Sequence, residues 1–577
     1  MSTESRNAQE GLRPAVCRNR RAVGRGVLWL AVIALVAFQA VNIMRAANWA
    51  PGDDYIFTRT TVAGEWMGFR EQIRTYERRF FPLAFQEFNL FVGAGNVPRL
   101  YYALQLAKYF LTLLVMALIA RVVLRRGGSC GGLGASSETE HSGVSKAALG
   151  AGVIAAVFLL QPRLHLVYGH IIYPESMQML WLSLFALFAY RAVRSGRWWD
   201  YLASLLAGSV SLYYKETTFA LLLPVAVVPL VGGYRSMKPA QRAFSIGLLL
   251  SIAVWFGLYW HLVYGQAGGA DYASKYATHK SLAVSFARVF LDPTTIYPVM
   301  AALGVYRAWV LARAVYKGRS GELSMEQLLV DSLLFGGLLC IAAFAALKLA
   351  DIRYLPPCNV FFTVVCLYYA PWLMAGLRGW LGRTWRSRRA LAVAALASML
   401  IWTSSRLTCQ VVGFNWLHDI QRTWAPHLRV VAHHSDCPVI FVCPDYSGPW
   451  PADRPCPLNL YFVKASLACI RVQKPEAAAP VQPAYLDMTD ELNGVDALSD
   501  WQIRIDVLDA LPAGERYFLF APAKVDNFGR LMQERYGIDV VRISRFAFRD
   551  PWVREIWVPR GFARRLRREH WLPVGEN

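Results

Sequence analysis

Two adjacent carboxylates, Asp53 and Asp54, stand in the run Asn48-Trp49-Ala50-Pro51-Gly52-Asp53-Asp54-Tyr55, directly after the first strongly apolar segment. Like charges side by side at the edge of a low-dielectric region are costly unless a proton, a cation or a hydroxyl group uses them. One carboxylate of such a pair suits a general base, and the other suits an orienting group or a cation ligand. Pro-Gly-Asp-Asp is equally a good turn sequence, so the pair alone leaves both readings open.

Three more stretches combine charge with a break in an apolar pattern. Tyr173-Pro174-Glu175 opens an apolar run, and Glu175 falls in the first helical turn, where the helix N-terminus favours a carboxylate whether or not it reacts. Lys215-Glu216-Thr217 separates two short apolar runs, either as a local ion pair or as a cation for a phosphate. Asp351-Ile352-Arg353-Tyr354-Leu355-Pro356 offers a guanidinium that grips a phosphate bidentately or pairs with Asp351. His165 and His170 are spaced poorly for metal ligation, and structural or hydrogen-bonding roles fit them better. In Arg78-Arg79-Phe80-Phe81-Pro82-Leu83-Ala84-Phe85-Gln86-Glu87-Phe88, charge mixes with bulky apolar residues, as in an interfacial element or a loop packed over a membrane domain. Packing is the favoured role for its aromatics.

The elements that must hold these residues are apolar helices. The 577 residues are 55% hydrophobic and only 17% charged, too apolar for a string of soluble domains. A bilayer core of roughly 30 Å takes about 20 helical residues. Eleven runs of that kind are predicted, at 27–44, 101–120, 147–162, 174–193, 201–214, 217–232, 244–265, 296–312, 327–348, 357–377 and 390–405. The first follows Arg18-Asn19-Arg20-Arg21 and lacks a small-residue cleavage site, so it reads as a retained signal anchor.

The net charge of +22 would suit nucleic acid if it formed one patch. Instead it sits in alternate loops: 1–26, 121–146, 191–200, 233–243, 313–326 and 378–389 together hold 24 Lys or Arg against 7 Asp or Glu. That asymmetry predicts a cytoplasmic N-terminus and an extracytoplasmic, periplasmic C-terminus in the cytoplasmic membrane. It also puts all four candidate stretches on the outer side and removes the case for a nucleic-acid partner. The Gly/Ser-rich segment after Arg125-Arg126 is a flexible linker, since no GK[ST] follows to make a phosphate loop.

Three regions result: a basic tail at 1–26, a membrane domain at 27–405 with a first outside loop at 45–100, and an outer domain at 406–577. In the last, Pro438 to Val442 and Tyr517 to Phe520 read as buried strands and Val525 to Tyr536 as a helix, which predicts a small α/β fold. This region has 21 basic and 20 acidic residues. Cys409, Cys437, Cys443, Cys456 and Cys469 crowd into it, where an oxidising compartment would let some of them pair.

In order and common side, Asp53-Asp54, Tyr173-Pro174-Glu175, Lys215-Glu216-Thr217 and Arg353-Tyr354-Leu355-Pro356 resemble the polytopic glycosyltransferases of the GT-C fold, especially relatives of the protein O-mannosyltransferases and lipid A aminoarabinose transferases. The resemblance covers about residues 27 to 405. It implies transfer of a hexose or pentose from a polyprenyl-phosphate donor to an envelope glycan, lipid or protein outside the membrane. It gives Asp53 the role of base, with Asp54 orienting the hydroxyl, and Glu175 completes the acidic wall. Lys215 and Arg353 face the donor phosphate, while Arg79, Glu87, His170, Glu216 and Tyr354 contact the substrates. If a divalent ion takes part, Asp54 and Glu175 are its ligands. Two other readings stand beside this one. Lys108, Arg307 and Asp331 lie inside predicted spans, as in a transporter or lipid flippase. The independent α/β pattern of the tail suits a membrane-anchored binding protein.

Overall fold

The computed structural model describes residues 26–47, 60–62, 64–74, 79–94, 97–125, 143–266, 281–318, 323–349, 354–384, 397–415, 439–443, 484–487, 516–521, 528–545 and 555–570, and the single positions 57, 417, 418, 430, 434 and 437. Among the described residues each of the eleven apolar runs, the last of them only from residue 397 onward, overlaps a helix. These are α1 (Gly26–Arg45), α2 (Pro98–Leu124), α3 (Gly143–Ile154, continued by a π-helical turn at Ala155–Leu159), α5 (Glu175–Ser195), α6 (Trp198–Leu212), α7 (Thr218–Gly233), α8 (Pro239–Leu262), α10 (Tyr297–Tyr316), α11 (Met325–Ala346), α12 (Pro356–Thr384) and α13 (397–415). Two short helices intervene, α4 (Leu164–Gly169) and α9 (Leu282–Phe290). Among the described residues six helices, α1, α2, α5, α8, α10 and α11, are long and apolar enough to cross a membrane. The chain is therefore a mostly helical membrane protein. Helix α7, at 16 residues, spans only about 24 Å and contains Pro224 and Pro229.

The chain forms two compact units. The first gathers α1, residues 68–86 and the chain from 103 to 414; the second gathers 45–67, 87–102 and the chain from 415 onward. In the first unit α11 is the central helix, with 72% of its apolar window buried, whereas α1 and α10 bury 17% and turn most of their side chains outward. Without a hydrophobic drive between helices in lipid, close backbone approach at small residues supplies the packing. At Gly336 of α11 an added Cβ would collide with the Leu221 carbonyl oxygen of α7, so only glycine lets these helices meet. Ser204 of α6 donates to the Phe185 carbonyl of α5 at 3.1 Å, and Ser209 of α6 donates to Ser251 of α8 at 3.0 Å. Gly196, at φ +68°, ends α5 in the left-handed conformation and starts the turn into α6.

The last predicted span stops at residue 405, just before Arg406, but α13 runs on to residue 415. Arg406 is buried and holds three partners. Its Nε donates to the Thr294 carbonyl at 2.8 Å, its Nη1 to the Ala156 carbonyl at 2.6 Å, and its guanidinium lies 3.9 Å from the centre of the Trp402 ring. One turn on, buried Gln410 donates to the Leu159 and Gln161 carbonyls. The Ala156 and Leu159 carbonyls belong to the π-helical turn of α3, and side chains of α1 and α13 donate to them, Gln39 also reaching the Leu159 carbonyl at 2.7 Å.

The second unit contains a five-stranded sheet in the order β4-β3-β5-β7-β6, from β3 (Val439–Cys443), β4 (Ala484–Asp487), β5 (Phe518–Ala521), β6 (Val540–Arg545) and β7 (Glu555–Pro559). β3 runs parallel to both neighbours, and β7 and β6 add antiparallel. The predicted strands and the helix α14 (Phe528–Tyr536) form where the apolar runs place them. Phe528 packs against Trp557 with ring centres 5.3 Å apart. Helix α15 (Arg560–Arg568) lays Phe562, Ala563 and Leu566 on the sheet, with Phe562 edge-on to Phe518. Of the cysteines from residue 406 onward, Cys409 is an exposed free thiol and Cys437 is buried; Cys456 and Cys469 lie outside the described residues. In the same unit, Phe57, Phe88 and Tyr101 form an aromatic cluster, and Tyr101 shares a 2.5 Å hydrogen bond with Thr61.

Candidate functional site

Asp53, Asp54 and Arg353 lie outside the described residues. The remaining candidates in the first unit converge on the turn between α6 and α7, where Tyr213-Tyr214-Lys215-Glu216-Thr217 breaks two short helices. Lys215 and Glu216, neighbours in sequence, take partners from different segments. Lys215 Nζ reaches Glu175 Oε1 of α5 at 2.8 Å, and both side chains are almost completely buried. The contact is within ion-pair distance but not along a hydrogen-bonding direction, so both Glu175 oxygens, buried among described residues, receive no hydrogen bond. On another side, Lys215 Nζ stands 5.2 Å from the ring centre of Tyr354, which is stacked on Phe344 at 5.5 Å and 7°. Carboxylate and aromatic face together fix a buried ammonium that still has donor capacity.

Glu216 holds the first loop. Arg79 Nε donates to Glu216 Oε1 at 2.7 Å and Nη2 to Oε2 at 3.4 Å, while the Phe80 backbone N–H donates to Oε1 at 3.0 Å. The short antiparallel ribbon of β1 (Ile73–Arg74) and β2 (Arg79–Phe80) presents these groups, and Leu83 N–H donates to the Tyr213 carbonyl at 3.0 Å. Phe80 itself packs its ring near Tyr213 and Trp255, so this part of the loop is packed against the helices. Arg79 and Glu216 are thus brought together as a clamp. Burial pushes the Glu216 carboxyl upward, but Arg79 first and Lys215 second outweigh it and hold the group below the ordinary carboxylate value of 4.5.

A depressed folded-state value means the clamp contributes its full stability above pH 4.5 and loses it only as pH falls below that. Hydrogen-exchange protection of the Phe80 amide, corrected for intrinsic rate, should therefore persist down to about pH 4.5; loss between about pH 6 and 5 would contradict the assignment. Glu216→Gln should weaken the same protection by about 1–3 kcal/mol, because two donors lose a charged acceptor.

Around this centre, hydrogen bonds fix the helix ends. Gln178 Nε2 donates to Thr218 Oγ1 at 2.8 Å, and Thr218 donates to the Ser211 carbonyl. Ser176 donates to Gln105 Oε1 at 3.0 Å, and Gln105 Nε2 donates to the His170 carbonyl at 2.7 Å. Thus His170 enters through its backbone, with its ring edge-on to Tyr173. His165 is buried, and burial first, then Arg163 and His170, lower its imidazole to about 3, so it is neutral at pH 7. Glu87 belongs to the second unit, in the 3-10 turn Gln86–Phe91. Among the described residues no group of three His, Cys, Asp or Glu side chains can hold a metal ion, and the described charge facing Glu175 is the Lys215 ammonium. Sequence reasoning missed Gln105, Gln178 and Phe344, which are ordinary helix residues by type; only their partners mark them out. No protein-family model matches the chain, and no curated protein matches it.

Proposed function

We propose that the chain is a membrane glycosyltransferase that moves a sugar from a polyprenyl-phosphate donor to a hydroxyl group of an envelope glycan, lipid or protein on the outer side of the cytoplasmic membrane. The observation that carries this reading is the buried Glu175–Lys215 pair over the Tyr354 face. A fixed ammonium with spare donors is what a departing lipid phosphate needs, and it requires no reorganisation during reaction. Glu175 holds that ammonium in place. Arg353, next in sequence to Tyr354, adds a second cation.

In the reaction the acceptor oxygen attacks the anomeric carbon while the carbon–oxygen bond to phosphate breaks. The electron pair leaves on the lipid phosphate, where Lys215 and Arg353 meet the developing charge. The hydroxyl proton passes to the Asp53 carboxylate, which Asp54 orients. The activated donor supplies the free energy, so no nucleotide site is required. The transport reading draws less support, because two of the intramembrane charges that motivate it, Arg307 and Asp331, neutralise each other.

Asp53→Ala is expected to abolish transfer, by a factor of at least about 10², with membrane insertion unchanged. The check is envelope glycan composition in cells carrying only that variant; wild-type glycan would sink the assignment.

A further inference from the structure

We infer that the outward face of α15 docks the second unit onto an anionic phospholipid surface. Five arginines fall in its nine residues, Arg560, Arg564, Arg565, Arg567 and Arg568. Phe562, Ala563 and Leu566 occupy the buried arc against the sheet, so at about 100° per residue the arginines fill the opposite arc. Arg560 pairs with Asp539 at 2.7 Å and Arg565 with Glu569 at 2.7 Å, and Glu569 also meets His434. Arg564 and Arg568 are exposed and have no acidic partner among the described residues.

Within the residues from 406 onward, this helix carries the densest run of arginines. From residue 406 onward the chain has 21 basic and 20 acidic residues, so overall charge balance does not require a guanidinium stripe here. Guanidinium forks match phosphate oxygens bidentately, and a row of them at i, i+4 and i+8 (Arg560, Arg564, Arg568) suits a plane of phosphates. The sequence continues with Trp571, a residue type enriched at the headgroup level. The unit is covalently part of a chain with six described helices long and apolar enough to cross a membrane, which gives phospholipid a high effective concentration at its surface. A lipid surface therefore fits better than a soluble polyanion. This inference does not depend on sugar transfer.

The test places the full chain in nanodiscs of phosphatidylcholine alone or with about 30 mol% phosphatidylglycerol and reads arginine labelling by phenylglyoxal with mass spectrometry. Exposed Arg530, on α14 of the same unit, serves as the internal reference. Labelling of Arg564 and Arg568 relative to Arg530 should fall about tenfold in anionic discs and recover in about 0.5 M NaCl. In Arg564→Glu/Arg568→Glu, the remaining exposed arginine of the row, Arg560, should label equally in both discs. Equal labelling of the wild type in both discs would overturn the inference. So would protection that appears only when a soluble anionic glycan is added to neutral discs, which would assign the face to a polyanionic sugar.

Discussion

Lys215→Ala is expected to lower sugar transfer by about 10²–10³-fold, the usual cost of removing one preorganised charge donor from a developing anion. It should also destabilise the protein by about 3–5 kcal/mol, because Glu175 is left buried without a counter-charge. The two losses separate in the double variant Lys215→Met/Glu175→Leu. Removing both charges takes away the unpaired carboxylate, so most of the stability returns while transfer stays lost. Lys215→Arg keeps charge but replaces a compact point donor with a planar fork above Tyr354, and it should restore folding with only partial activity. Thermal unfolding in detergent, measured beside turnover of a polyprenyl-linked sugar, gives both quantities. Full recovery of transfer in the double variant would show that Lys215 serves packing alone.

Arg307→Ala is expected to cost about 3–5 kcal/mol of stability with transfer per folded molecule unchanged. Arg307 Nε and Nη2 donate to the two Asp331 carboxylate oxygens at 2.8 Å each, and Tyr369 OH donates to Asp331 Oδ1 at 3.4 Å. The pair joins α10, α11 and α12 inside the helical unit, where a single charge without a partner is costly. Arg307→Leu/Asp331→Leu should therefore recover stability to within about 1 kcal/mol of wild type. A transport pathway predicts the reverse pattern: the double variant would fold and lose function. Thermal stability and transfer rate of the single and double variants decide between them.

Much of the helical framework was legible because bilayer thickness fixes one length scale, and an apolar run of that length has few alternatives. Helix α13 shows the limit. The predicted span stops just before Arg406, yet Trp402, Arg406 and Gln410 recur at four-residue spacing, a stripe that puts the charge on one buried face. A window of mean hydropathy averages that stripe away. At the candidate site the residue types were legible and their pairing was not. Lys215 and Glu216 look like a local ion pair, but adjacent side chains at a helix break point apart, and their partners come from distant segments. Arg79 and Glu216 are 137 positions apart, a distance no local pattern bridges. The aromatic segment at 80–88 turned out as packing, with Phe80, Phe81, Phe85 and Phe88 all buried, because its apolar side chains outweigh the two arginines before it.

The most direct measurement is a reconstituted-vesicle assay with purified protein, a radiolabelled polyprenyl-phosphate sugar and an envelope acceptor fraction. Label appearing on the acceptor in covalent linkage, with release of the polyprenyl phosphate and loss of both in Lys215→Ala, is the predicted result. Label that crosses the bilayer while still attached to its lipid, with none on the acceptor, would contradict the account and assign the chain to transport.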